Sequence, residues 1–371
     1  MTEESSASSH LSVAMTTTGM TQIATSSGSR GMDFYFQCAV IFIGVIGTAA
    51  NGLILYALVS SDQHKKHVLI VNQNLFDFFS SFFLIVIFSL KLCNIYLTGA
   101  TGYWLCITIL SECLWTWTAG GSITNLAIIT VERYLKVVHP VWSKKKLRKW
   151  MIYSAMAFAW ISSFGYNLAM LFPTTFVLDG KCYPYVMWGS TAAHLVNFFY
   201  SFISYYVIIL LIFTFCYWRI LVVIRRQARV MAAHSGRSST ETQAQTQFNH
   251  MQSNVIKTML FVSAFYAISW FPLQIVGFLT VISPNLTNLI NGYYASLFIT
   301  FLYVCANPFV YATKFEPVKK VLLRMIPWKN TSQQVGESID TGTGSTLPPV
   351  PRSTIPGTHQ SLSPSGCGSL R

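Results

Sequence analysis

The sequence predicts an all-α integral membrane protein: a seven-transmembrane helix bundle followed by a short cytoplasmic amphipathic helix. Three observations predict it. Of the 371 residues, 52% are hydrophobic and only 10% charged, whereas a soluble domain carries about 25% charged residues. The apolar residues fall into seven long runs, near 34–60, 68–93, 103–136, 149–172, 190–225, 252–282 and 289–313, each long enough to cross a hydrocarbon core of roughly 30 Å as a helix. Basic residues gather in alternate gaps between these runs, as they do on the cytoplasmic side of membrane proteins.

The first run ends before Lys65 and Lys66, and the third before Lys144, Lys145, Lys146, Arg148 and Lys149. The end of the fifth and the gap after it hold Arg219, Arg225, Arg226, Arg229 and Arg237, and the seventh is followed by Lys314, Lys319, Lys320, Arg324 and Lys329. The opposite gaps hold only Arg30, Lys91 and Lys181. This asymmetry places the N-terminus outside and the C-terminus inside. It also excludes the nucleic-acid partner that a net charge of +13 would otherwise suggest. Barrel strands would alternate polar and apolar residues over about ten positions; these runs are continuous and far longer. Residues 1–33 read as a disordered extracellular tail, 34–313 as the membrane domain, 314–328 as the amphipathic helix and 329–371 as a disordered cytoplasmic tail. No cleavable signal segment stands out in the Ser- and Thr-rich residues 1–30, so the first run is expected to direct insertion.

Polar groups at bilayer depth are costly and mark function or helix association. Asn51 lies in the middle of the first run, Asp77 in the second and Asn307 in the seventh. Pro272 and Pro308 interrupt the sixth and seventh; each removes one helical hydrogen bond and bends its helix. Glu132, Arg133 and Tyr134 end the third run on the cytoplasmic side, where the arginine has an acid beside it. Of the eight cysteines most lie inside the runs, while Cys106 and Cys182 fall near the outer face, where a disulfide persists. None of these features is specific alone.

In this order on seven spans, however, the chain resembles the rhodopsin-like G-protein-coupled receptors over residues 34–326. Asn51, Asp77, the triplet Glu132-Arg133-Tyr134, Trp160, the segment Ser269-Trp270-Phe271-Pro272 and the segment Asn307-Pro308-Phe309-Val310-Tyr311 stand where that family has its motifs. The resemblance implies a receptor, not an enzyme, at the plasma membrane. It implies that Arg133 engages a heterotrimeric G protein once the sixth span moves outward, supported by Tyr217 and Tyr311. Val141 would plug into the G protein, and Trp270 would report the ligand. Asp77, Ser122 and Asn307, near Asn51, would form a buried polar cluster holding a sodium ion. Cys106 and Cys182 would be joined, and the helix from Phe315 to Ile326 would lie along membrane lipids. Ser and Thr in 331–364 would be sites for a receptor kinase and so for arrestin recruitment. Cys367 has a low claim to lipidation.

Several positions depart from the pattern. Cys106 is about two residues farther from Arg133 than expected, leaving Cys113 as an alternative. Ile209 replaces a proline in the fifth span, Tyr266 a phenylalanine in the sixth, Tyr303 an asparagine in the seventh, and Gln252 an acid at the inner end of the sixth. The last change removes the cross-helix partner that quiets some relatives, so ligand-independent signalling is expected.

The implied ligand pocket is lined by Lys91, Trp115, Thr116, Ala119, Leu273, Gln274, Gly277 and Leu297. Trp115 stands where amine receptors have an acid, and Phe301 where light receptors have a lysine. An aromatic pocket with few charges suits a peptide inserting one end, such as a neuropeptide, or else a lipid-like or other small molecule. Lys91 either meets a ligand carboxylate or reaches toward the surface. Asn285-Leu-Thr is an outer glycosylation acceptor. A transporter is the rival outside the receptor class, but no internal repeat is visible and Asp77 is the only clear acid at mid-span. An intramembrane hydrolase would need a catalytic partner that Asp77 lacks.

Overall fold

The computed structural model describes residues 27–184, 191–234, 241–282, 290–314 and 316–325. The elements in order are α1 (Ser27–Ser60), α2 (Val68–Leu92), α3 (Gly99–Leu105), α4 (Cys113–Val138), α5 (Pro140–Lys146), α6 (Lys149–Leu171), strands β1 (Phe176–Leu178) and β2 (Lys181–Tyr183), α7 (Thr191–Ser201), α8 (Ile208–His234), α9 (Glu241–Ile282), α10 (Ile290–Lys314) and α11 (Glu316–Met325). Helix α4 sits at the centre, packed on α2, α6 and α8, while α10 closes the bundle between α9 and α1.

Several helices outrun their apolar stretches. Helix α1 begins at Ser27, so residues 27–33 belong to it rather than to a tail; α8 runs on to His234, and α9 begins at Glu241. Hydropathy marks only the part of a helix that meets lipid, and a helix continues into water wherever its backbone bonds do. Among the described residues six helical stretches are long and apolar enough to cross a membrane by themselves. Helix α4 is not one of them: its Thr118, Ser122, Asn125 and Thr130 are all fully buried and face protein, not lipid.

The run expected as one span over 103–136 is broken. Helix α3 passes into a π-helical turn, Cys106–Leu110, and the chain then kinks at Glu112, whose φ of 64° is left-handed. These extra residues lie between Cys106 and Arg133, which accounts for the long spacing in the sequence. The fifth span is likewise two helices, α7 and α8, joined by a π-helical stretch, Phe202–Val207, close to where the sequence lacks a proline. π turns concentrate at functional sites.

Outside the bundle, β1 and β2 form a hairpin, with Val177 opposite Cys182. Its turn, Asp179-Gly180, has positive φ at both residues (50° and 71°), the combination that matches strand twist and that Asp-Gly supplies. The hairpin packs on the outer loop after α2, where the Leu97 N–H donates to the Gly180 carbonyl at 2.9 Å. Helix α11 turns its apolar face to the bundle: Val318 is fully buried, and Val321 and Leu322 pack on the core. Phe315 and Ile326, the expected ends of that helix, lie outside the described residues, as do Asn285, Cys367 and the 329–371 tail.

Candidate functional site

The outer half of the bundle holds a cavity of about 350 Å³ between α4, α6, α7, α9 and α10. Trp115, Thr116 and Ala119 of α4 line it with Leu273, Gln274 and Gly277 of α9. Lys91 and Leu297, expected in the pocket, lie outside its lining. Lys91 instead pairs with Glu112 at 2.5 Å and lies 4.9 Å over the Phe88 ring; the kink that turns Glu112 inward makes the pair possible. Leu297 packs with Trp115 and Phe301. Residues that sequence reasoning missed complete the wall, among them Tyr166, Asn167, Asn197, Tyr205 and Tyr293. Their spans carry no polar signal beyond these isolated side chains, so only the packing shows which of them face inward.

Among the described residues, none that lines the cavity carries a charge. Its polar groups partly satisfy one another: Thr116 donates to Asn167 at 2.6 Å and Tyr166 to Asn197 at 3.0 Å. At the floor Trp115 and Trp270 lie nearly parallel, 9° apart with centroids 6.4 Å apart, and both indole N–H groups are buried without a hydrogen-bond acceptor among the described residues. A buried unpaired donor is costly, so an acceptor atom on a bound molecule would be favoured here.

Below the floor, Trp270 touches Tyr266, which packs edge-on against Phe213 and Tyr303. Farther inward Tyr217 already sits between spans: its hydroxyl is 3.2 Å from Thr130 of α4 and 3.1 Å from Ser263 of α9. Arg133 Nε lies 3.1 Å from Glu132, and Lys136 pairs with the same carboxylate. Tyr134 packs against Phe215 with the rings tilted by 51°, and its hydroxyl is 3.3 Å from His139. Val141, on α5, is 67% exposed at the same end of the bundle as Arg133. Pro272 and Pro308 lie inside α9 and α10. The side chains of Tyr311 and Gln252 lie outside the described residues. At the outer end Cys106 and Cys182 are bonded across 76 residues, and Cys113 is a free, buried thiol.

The buried polar cluster brings Asp77, Ser122 and Asn307 together. Ser122 donates to one Asp77 oxygen at 2.7 Å and Asn307 to the other at 2.8 Å. Asn51 stands apart, donating to the Gly47 carbonyl at 2.9 Å. Gln73, unread in the sequence, adds an amide N–H 3.5 Å from Asp77 and 2.5 Å from Ser122. Its signal was there, in the run Asn72-Gln73-Asn74 one turn before Asp77. A hard cation needs oxygen atoms facing it. Here N–H and O–H groups of Gln73, Ser122 and Asn307 face the carboxylate, and the buried Asn307 Oδ1 is the one side-chain oxygen of these residues without a hydrogen-bond partner. One free oxygen beside a carboxylate already capped by donors does not make the oxygen shell of the sodium ion that the resemblance implied.

The model of the 7 transmembrane receptor (rhodopsin family) matches residues 50–311. Rhodopsin of Todarodes pacificus is 24% identical over 329 residues, covering 81% of this chain and 69% of that protein. The gonadotropin-releasing hormone II receptor of Clarias gariepinus is 23% identical over 220 residues, 55% of each. The crystal structure of squid rhodopsin superposes with a TM-score of 0.65 at 18% identity, over 85% of this chain and 93% of that one, a likeness of fold. The matched stretch reaches from beside Asn51 in the first span to Tyr311 at the end of the seventh, and the chain therefore belongs to the rhodopsin family of seven-transmembrane receptors.

Proposed function

We propose that this receptor binds an extracellular ligand in the cavity above Trp270 and responds by activating a heterotrimeric G protein through Arg133. One observation carries the reading: cavity and arginine are built on the same helices, with Tyr217 spanning α4 and α9 between them. Pro272, which removes one hydrogen bond from α9, lies between the cavity floor and the outer wall of that helix, where a bound molecule has leverage on it. The disulfide belongs to an oxidising compartment, which supports an extracellular outer face, an outside N-terminus and residence in the plasma membrane. Phosphorylation of Ser and Thr in 331–364, with arrestin binding, completes the proposal.

Relatives of such low identity include both a rhodopsin and a gonadotropin-releasing hormone receptor, so the ligand class follows from the cavity. Its lining is uncharged and offers two indole donors. A peptide inserting an uncharged, acceptor-bearing end satisfies both. A small neutral molecule is the second reading, favoured by the volume of about 350 Å³, which lies at the small end of ligand pockets. No lysine lies between Asn288 and Thr313, so a retinal Schiff base in the seventh span is not proposed. The test is G-protein activation in cells expressing the chain, exposed to fractionated tissue extract before and after protease digestion. Activity lost on digestion supports the peptide, and activity that survives supports the small molecule. Equal responses in cells expressing Arg133→Ala would refute the reading altogether.

A further inference from the structure

We propose that Gln73 occupies, with its amide N–H, the place of a cation at Asp77, so that this receptor is insensitive to sodium. The inference stands without the ligand reading.

Asparagine and glutamine side chains can turn either way, so the orientation of Gln73 needs a physical cause. It comes from Trp160, whose indole nitrogen can only donate. That N–H points at the Asn72 carbonyl oxygen at 3.0 Å. The Asn72 amide nitrogen must then face away from Trp160, and it donates to the Asn125 oxygen at 2.9 Å. The Asn125 nitrogen in turn donates to the Gln73 oxygen at 2.9 Å and to the Leu69 carbonyl at 3.1 Å. This leaves the Gln73 nitrogen facing Ser122 and Asp77. Asn72, Gln73, Asp77, Ser122 and Asn125 are all buried, so no bulk water is at hand to repair a reversed link.

Turning Gln73 to offer its oxygen to a cation would set two N–H groups against each other at Asn125. Relieving that would require Asn125 and Asn72 to turn as well, leaving the Trp160 N–H against another N–H. Trp160 is itself fixed, stacked on Phe76 with centroids 3.9 Å apart. The row therefore has one stable direction. Its final donor joins Ser122 and Asn307 around the carboxylate, and the positive ends of three dipoles stand where a cation would have to bind.

The experiment measures the Tm of the purified full-length receptor in detergent, titrating sodium chloride against N-methylglucamine chloride at constant ionic strength. Wild type is expected to show no sodium-specific shift. Gln73→Leu, close in volume but without the amide, is expected to gain a saturable rise of about 3 °C that potassium does not reproduce. Asp77→Asn in that background should abolish the rise. A saturable sodium-specific rise in wild type, lost in Asp77→Asn, would overturn the proposal. So would a Gln73→Leu protein that stays as unresponsive as wild type. If Gln73→Leu does not fold, Gln73→Ala is read in the same way, and the wild-type titration needs no variant.

Discussion

Among the described residues, the one carboxylate beside Arg133 is Glu132, which it shares with Lys136. Its restraint is therefore local and divided, and Arg133→Ala is expected to cut agonist-driven G-protein activation by about tenfold or more, as losing an interface hot spot does, while ligand binding stays near wild type. Undiminished signalling at equal surface level would refute its role. His67, just before α2, is the second titratable group at this end. Burial, followed by Arg133, Lys136 and Lys66 and opposed by Glu132, pushes its pKa from the ordinary 6.5 down to about 4. An unfolded chain thus takes up this proton near pH 6.5 and the folded one only near pH 4. Between these values the unfolded state binds more protons, so stability falls as pH falls through that window. The Tm of the purified receptor is expected to drop over this range, and less steeply in His67→Gln; identical slopes would remove His67 as the cause. Arg133 and Asp77 were legible in the sequence because a charge in an apolar run is conspicuous. The Lys91–Glu112 pair was not, because only the kink at Glu112 brings together residues 21 apart.

At the scale of elements, close approach decides what each helix tolerates. A Cβ on Gly121 of α4 would lie 2.2 Å from the Phe76 ring, which is already stacked on Trp160. Gly121→Ala should therefore push Phe76 off that stack and destabilise the bundle by about 1–3 kcal/mol. Thermal unfolding checks it, and an unchanged Tm would show that α2 yields freely. The hairpin depends on the disulfide that anchors β2 to the turn after α3. Cys182→Ser removes a link across 76 residues, a loss of about 2–5 kcal/mol, and surface expression should fall with it. The Asp-Gly pair was a readable hairpin signal, although the two strands around it are only three residues each. Neither π-helical stretch was readable, since both sit in largely apolar sequence where hydropathy changes little; Ser111-Glu112 interrupts the third run, but a polar pair does not by itself specify the left-handed φ found at Glu112.

For the whole molecule, basal activity reflects how firmly the inner ends of the helices are held together. With glutamine at 252 the sequence offers Arg133 no acid there, and cells expressing this receptor should signal without ligand, above mock-transfected cells at matched surface level. Silence would mean that other contacts, such as Tyr217 bridging Thr130 and Ser263, hold the bundle closed. The sequence by itself determined the helical membrane class and the order of the spans, and it supplied the expected orientation and the residues proposed for the inner switch. Those follow from hydropathy, charge asymmetry and local motifs, which act within one turn of helix or across one span. Tertiary structure alone decided that the cavity lies toward α6 and α7 rather than Lys91, and that Gln73 closes on Asp77. Each depends on which side of a helix faces which neighbour, and uniformly apolar helices carry too little periodicity to say so.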